Sequence, residues 1–351
     1  MGNLQKILDG IRPLDERWLD RAQRKLDGLT KPPGSLGRLE AIARRYVAIK
    51  EDLNPSVTRK VIFTFAGDHG VVEEGVSAYP GQVTVQMVLN MLAGGAAVNI
   101  LADHAGAEVV VVDIGVNHDF EPVRGLVARK VGYGTRNCTN GPAMTRDEAL
   151  RSIQTGIDLA EEYAKGGMDI AGTGEMGIGN TTPSSAILSV LTGLPAGAVT
   201  GRGTGIDDRT LEVKTAAIAR AIAVNRPDPD DPLDVLAKVG GFEIGGIVGL
   251  IIGCASGRIP VVVDGFISTA AALIATRMYP AIDDYLFYAH LSSEAGHGQM
   301  LEGMGQRPIL ALDMRLGEGT GAALALSVIE ASVRVMNEMA TFASAGVDTA
   351  L

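Results

Sequence analysis

The residues best suited to chemistry lie in Gly172-Thr-Gly-Glu-Met-Gly177, a G-x-G-x-x-G pattern that follows a short apolar run. Glycines at that spacing let phosphate oxygens approach backbone amides. A dinucleotide site also requires an acidic residue about 20 positions further on, to bind a ribose hydroxyl. No Asp or Glu occurs between Glu175 and Asp207, so a nicotinamide dinucleotide is disfavoured. What remains is a glycine-rich loop that carries Gly174, Gly177, Gly179, Asn180, Thr181 and Thr182 into a helix start near Ser184. Free amides, hydroxyls and the helix dipole suit a phosphate there, and this reading is preferred. The competing reading is that Thr181 and Thr182 only cap the helix. Gly201-Arg-Gly-Thr-Gly205, followed by Asp207-Asp208, is a second glycine-dense turn: another phosphate or ribose contact, or a surface turn.

Two carboxylates stand out. Glu318 lies between glycines in Arg315-Leu-Gly-Glu-Gly-Thr-Gly321, where it can approach a flat ligand closely. An apolar setting would raise its pKa into the range of a general base. It is equally readable as an ordinary acid at a helix N-terminus. Glu175 is out of place beside an anion site and is the second carboxylate of interest. Asp68, His69, Asp113, His118, Asp264, His290 and His297 follow no compact ligand spacing, so no metal is expected. Cys138 and Cys254 suggest neither a disulfide framework nor a zinc knuckle, and no Gly-x-Ser-x-Gly elbow occurs.

The elements that must position these residues follow from composition and periodicity. With 46% hydrophobic and 21% charged residues, the 351-residue chain has material for a large core. Its length suits two domains, or one large α/β domain with an appendage. Forty-five glycines without a repeat suggest tight βα turns. A formal charge of −10 and the lack of a basic stretch argue against nucleic acid. Met176–Gly201 and Ile244–Gly257 provide no unbroken apolar run of the ~18 residues a membrane span needs. MGNLQKILDG shows no secretory pattern, so a cytoplasmic protein is expected.

Residues 14–29 and 35–47 place apolar side chains at helical spacing, separated by Lys31-Pro-Pro-Gly34. Short β-rich runs then alternate with helical stretches. Runs at 61–66, 109–112, 168–171, 259–263, 285–289 and 309–312 each lead into a polar or glycine turn. Helices are expected over 85–104, 145–163, 211–223, 269–278 and 321–342. That alternation predicts a doubly wound, mostly parallel α/β sheet with ligands at the carboxyl ends of its strands. The final helix is expected to close onto the N-terminal ones. The expected division is a catalytic domain over 56–320 and a small helical domain from 1–55 and 321–351.

Several segments, in order along essentially the whole chain, resemble the nicotinate-nucleotide–dimethylbenzimidazole phosphoribosyltransferase family of cobalamin lower-ligand synthesis. They are Lys31-Pro-Pro-Gly-Ser-Leu-Gly-Arg-Leu-Glu40, Ala66-Gly-Asp-His-Gly-Val71, Glu74-Gly-Val-Ser-Ala-Tyr-Pro80 and GTGEMGIGNTT at 172–182. Gly201-Arg-Gly-Thr-Gly205, Asp264-Gly-Phe266, His290-Leu-Ser-Ser-Glu-Ala-Gly-His297 and Leu316-Gly-Glu-Gly-Thr-Gly321 continue the match. The resemblance implies a Rossmann-like large domain, a small domain from both chain ends and a homodimer. It implies transfer of ribose 5-phosphate from nicotinate mononucleotide to 5,6-dimethylbenzimidazole without a cofactor, inverting the anomeric carbon. It places the catalytic base at Glu318 and phosphate and ribose contacts at Gly174–Thr182, Gly203 and Ser292. Glu175 falls near the ribose or leaving base, and Ser77–Gln86 falls along the aromatic-base pocket. Two other classes remain open: a metal-dependent hydrolase using Asp68, His69, Asp113 and His290, and a catalytically silent nucleotide-binding protein.

Overall fold

A computed structural model describes residues 2–348. Six strands, β1 (Lys60–Gly67), β2 (Ala107–Gly115), β3 (Leu126–Ala128), β4 (Ile170–Met176), β5 (Val261–Val263) and β6 (Leu286–Tyr288), form one sheet. Their spatial order is β3-β2-β1-β4-β5-β6, with every pairing parallel. This is the doubly wound Rossmann order, whose strand sequence reverses between β1 and β4. Every residue of β1 and β4 is buried, because helices cover both faces of a parallel sheet. That double burial explains why Val61-Ile-Phe-Thr-Phe-Ala66 reads as continuously apolar rather than alternating.

Several expected boundaries move. Gly172, Thr173, Gly174 and Glu175 belong to β4, so the glycine pattern is largely strand and the turn begins at Gly177. The helix expected over 85–104 is two, Val83–Leu92 and Ala97–Ala105. Gly94, at φ +78°, breaks it. The 309–312 run contributes a single bridge, His290 to Leu310, instead of a strand. β3 and the helix Phe242–Ser256 were not anticipated.

That last helix also gives some glycines a second role. Packed against the helix Arg146–Lys165, its Gly249 has so little room that a Cβ would lie 1.8 Å from the Ile153 carbonyl oxygen. A Cβ on Gly156 would lie 2.0 Å from the Gly246 oxygen. Glycines such as Gly156 and Gly249 therefore serve helix crossing, while seventeen others among the described residues take the positive φ that turns require.

The chain ends meet. Ala22, Leu26 and Leu29 join Ala43, Val47 and Met336 in a small apolar cluster apart from the main core. Thr30 N–H donates to the Ala340 carbonyl at 2.9 Å. Tyr46 and Ile49, on the same helix as Ala43 (Arg38–Lys50), turn instead toward the main core.

Candidate active site

A cavity of about 630 Å³ opens beyond the carboxyl ends of β4, β5 and β6. Glu175 and the Gly177–Asn180 turn, which leads into the helix Thr181–Thr192, form one wall. Residues after β5 and β6, including Phe266, His290 and Ser292, form another. Arg315–Glu318 and Gly203-Thr204 approach from the rim, and Ser77, Val83 and Met87 close the remaining side.

Glu318 is built with unusual backbone geometry. It is one of the few non-glycine residues with positive φ, at +64°. Three contacts hold it there. Its carbonyl accepts a hydrogen bond from Thr64 Oγ1 at 2.8 Å and packs over Gly174, where a Cβ would lie 2.3 Å from the Glu318 oxygen. The adjoining Gly319 and Ala322 amides donate to Asp264 at 3.2 and 2.9 Å, which ties the loop to the start of the helix Thr320–Glu338. The carboxylate is buried, and its Oε2 has no hydrogen-bond partner. Burial raises its pKa; the Val98 amide opposes this, and the Asp264 charge reinforces it.

Glu175 lies on the same side. Asn180 Nδ2 donates to its Oε2, and a Cβ on Gly317 would lie 2.2 Å from its Oε1. Burial pushes its pKa up to about 8. The Asn180 bond opposes that rise, while Glu243, Asp264 and Glu318 add to it. The two carboxylates face one ligand space in different states: Glu175 neutral near pH 7, Glu318 with a free acceptor oxygen.

Another part of the lining suits an anion. Thr181 begins its helix, and its Oγ1 accepts from Lys214 Nζ at 2.7 Å. Lys214 also donates to the Gly201 carbonyl at 3.0 Å, and Gly203, at φ +48°, passes close to both Thr181 and Lys214. Lys214 is only 1% exposed, and burial pulls its pKa down to about 8 against the opposing charge of Glu294.

Glu318, Glu175, Gly177, Gly179, Asn180, Thr181, Gly203, Ser292 and Ser77 thus share one cavity. Three anticipated residues do not line it. Gly174 lies beneath the Glu318 carbonyl, Thr182 is buried within its helix, and Gln86 is exposed beside its helix neighbours Val83 and Met87. Lys214, Thr64 and Asp264 were missed in these roles. Lys214 had a signal: it falls on the same stripe as Ala217, Ile218, Ala221 and Asn225 in the helix Asp208–Asn225, where a solvent-facing lysine does not belong. The residues of the metal-hydrolase reading are dispersed. His69 pairs with Glu243 at 2.8 Å and Asp113 with Lys130 at 2.8 Å, while Asp68 accepts the Asn117 amide. Among the described residues no group of three or more His, Cys, Asp or Glu side chains is arranged to hold a metal.

A Rossmann-order sheet with an anion pocket at a helix N-terminus and two buried carboxylates nearby is a plan for handling a phosphorylated sugar. A family profile described as Phosphoribosyltransferase matches residues 11–347, and the chain is a transferase of that class. The nicotinate-nucleotide–dimethylbenzimidazole phosphoribosyltransferase of Geobacter sp. (strain M21) is 60% identical over 344 residues, 98% of this chain and 99% of the relative. Its counterpart in Chlorobaculum tepidum is 55% identical over 98% of this chain and 97% of its own length. Two crystal structures from Thermus thermophilus superpose closely. One, titled as the same phosphoribosyltransferase, has a TM-score of 0.90 at 45% identity, covering 96% of this chain and all of that one. The other, titled CobT, has a TM-score of 0.91 at 46% identity, covering 95% and all. The chain belongs to the nicotinate-nucleotide–dimethylbenzimidazole phosphoribosyltransferase family.

Proposed function

We propose that this protein transfers ribose 5-phosphate from nicotinate mononucleotide to 5,6-dimethylbenzimidazole, yielding α-ribazole 5′-phosphate and nicotinate for cobalamin nucleotide-loop synthesis. The observation that carries this reading is the buried Glu318 carboxylate, with Oε2 unpartnered in a cavity whose lining also suits an anion. The names of the relatives support the substrate pair.

The phosphate takes the amides at the start of the Thr181–Thr192 helix, the Thr181 hydroxyl, and the Gly203 and Ser292 region, with Lys214 as the cation. Val83, Met87, Phe266 and Leu316 provide apolar walls for a flat base. The chemistry needs little activation from the protein. Nicotinate is attached through a cationic ring nitrogen, so cleavage of the C1′–N bond returns the electron pair and leaves an uncharged ring. The lone-pair nitrogen of the benzimidazole attacks C1′ from the opposite face, which inverts β to α. The resulting benzimidazolium then gives its N–H proton to Glu318. A raised carboxylate pKa suits that role, since a stronger base accepts the proton more readily. Glu175, kept neutral by burial, donates a hydrogen bond to the sugar or the departing base. Burial and mutual repulsion thereby give two like residues different tasks.

We place the reaction in the cytoplasm and assign the working form to a homodimer. The broken pair of helices over 83–105 supports a partner, with Leu89 and Ile100 47% and 65% exposed. The shared cluster of the two chain ends supports a small domain over 1–55 and 321–351 beside a catalytic domain over 56–320. The test is incubation of purified protein with nicotinate mononucleotide and 5,6-dimethylbenzimidazole, without added metal, followed by chromatography and mass detection. Equimolar nicotinate and α-ribazole phosphate are expected. Bound nucleotide with no product from this base would refute the proposed acceptor.

A further inference from the structure

Lys214 is a lysine without solvent. Its ammonium touches two neutral acceptors, Thr181 Oγ1 and the Gly201 carbonyl. Neutral dipoles alone seldom keep a fully buried lysine protonated, because burial disfavours the charged form. A countercharge lies behind Gly201. Glu294 is 6% exposed, its Oε2 has no hydrogen-bond partner, and a Cβ added to Gly201 would lie 2.1 Å from that oxygen. Only a glycine lets the Glu294 carboxylate press against the very peptide whose carbonyl holds the Lys214 ammonium.

We propose that Glu294 is a positioning residue that keeps Lys214 charged, and so keeps the phosphate end of the cavity able to bind a nucleotide monophosphate. The proposal rests on the phosphate placement given above. Other charges around Lys214 are engaged elsewhere. Arg202 pairs with Asp208, Asp207 caps its own helix, and Arg315 donates to the Gly203 carbonyl. Arg220 pairs with Glu74 and Lys238 with Asp234. His297 is occupied by the Ser292 amide and by Thr269. Of these groups, Glu294 alone is a carboxylate acting on Lys214.

The consequence is a pH limit on nucleotide binding, set by one residue and tuned by another. As pH rises, Lys214 loses its proton and the phosphate loses its cation. Phosphate, with a second pKa of about 6, only gains negative charge across that range, so it cannot cause a fall. Glu175 does titrate there, so the measurement uses Glu175→Gln protein as its background. The dissociation constant for nicotinate mononucleotide is measured by calorimetry from about pH 6.5 to 9.5. Affinity is expected to fall on the alkaline side. Adding Glu294→Gln should move that fall about one pH unit lower, weakening binding about tenfold at the alkaline end while leaving it intact near pH 6.5. Glu294→Asp should restore much of the range.

Adding Lys214→Arg instead, whose guanidinium stays charged throughout, should abolish the fall. Weakening by Glu294→Gln that is equal at every pH would overturn the proposal, because loss of folding or of a direct sugar contact has that signature. So would an unmoved fall. If Lys214→Gln binds as tightly as the background protein at low pH, the phosphate placement itself fails, a result separate from the other two. Should Glu294→Gln not fold, Glu294→Ala takes its place under the same two outcomes, and a fall that persists in Lys214→Arg would refute Lys214 as the group that sets the limit.

Discussion

Glu175→Gln should make the ligand-free protein more stable, and increasingly so with pH. Glu175 has a folded pKa near about 8 against an ordinary value of 4.5, owing to burial and three neighbouring carboxylates. Below the ordinary value the group is protonated in both folded and unfolded chains and contributes no pH dependence. Above it, the unfolded chain ionises while the folded one holds its proton, so each pH unit favours unfolding by about 1.4 kcal/mol until the folded group also ionises. At about pH 5.5 that handicap is roughly 1.4 kcal/mol, and at about pH 7.5 it is roughly 4 kcal/mol. Glutamine keeps the acceptor that Asn180 Nδ2 uses and needs no proton. Its advantage over the wild type should therefore grow by about 2 to 3 kcal/mol across those two pH values. Denaturant unfolding of both proteins at each pH, without ligand, measures the difference. A gap that stays constant with pH would show that Glu175 is not held neutral by its surroundings. A gap that shrinks as pH rises would reverse the electrostatic reasoning altogether.

Further outcomes follow from the same site. Glu318→Gln should lower turnover by the ~10²–10⁴ of a general base while nucleotide affinity stays within a few-fold, and steady-state kinetics with calorimetry separates the two. Near-normal turnover would remove Glu318 from that role. Gly174→Ala pushes a methyl against the Glu318 carbonyl, where a Cβ would lie 2.3 Å away, and should lose turnover through misplacement of the base; wild-type kinetics in this variant would show that the carboxylate tolerates the shift. Ile100→Asp, on the exposed helix pair, should turn the proposed dimer into a monomer, which light scattering would register.

Much of the fold was legible because parallel strands buried on both faces leave unmistakable apolar runs. Val61–Ala66 and Met168–Ala171 mark the central strands β1 and β4, and the polar cluster after the second leads into the cavity wall. β3 was invisible because three residues, Leu126–Ala128, carry no periodicity. The helix over 85–104 looked continuous because apolar residues persist on both sides of Gly94-Gly95, and glycine does not always break a helix. Glu318 and the Gly177–Thr181 turn could be picked out from their neighbours. Thr64 and Asp264 could not, because their importance lies in contacts with Glu318 and the loop that follows it, across 254 and 55 positions. Local sequence carries no trace of such pairing. Lys214 lay between these cases, its clue being a cation on an apolar helix face.

The meeting of the chain ends bears on how the molecule is made. Residues 16–47 leave the ribosome well before Met336, so the small cluster formed by Ala22, Leu26, Leu29, Ala43 and Val47 stays incomplete while the long segment between residues 47 and 336 is synthesised. The Leu29 to Thr341 bridge and the Thr30 to Ala340 bond wait equally long. Contacts so distant in sequence form slowly, and the unfinished apolar faces stay open to wrong partners in the meantime. The faces of the two helices over residues 16–47 that form the small cluster are thus secured later than Tyr46 and Ile49, which join the main core, and a nascent chain stalled before residue 336 would leave the small cluster without its final neighbour.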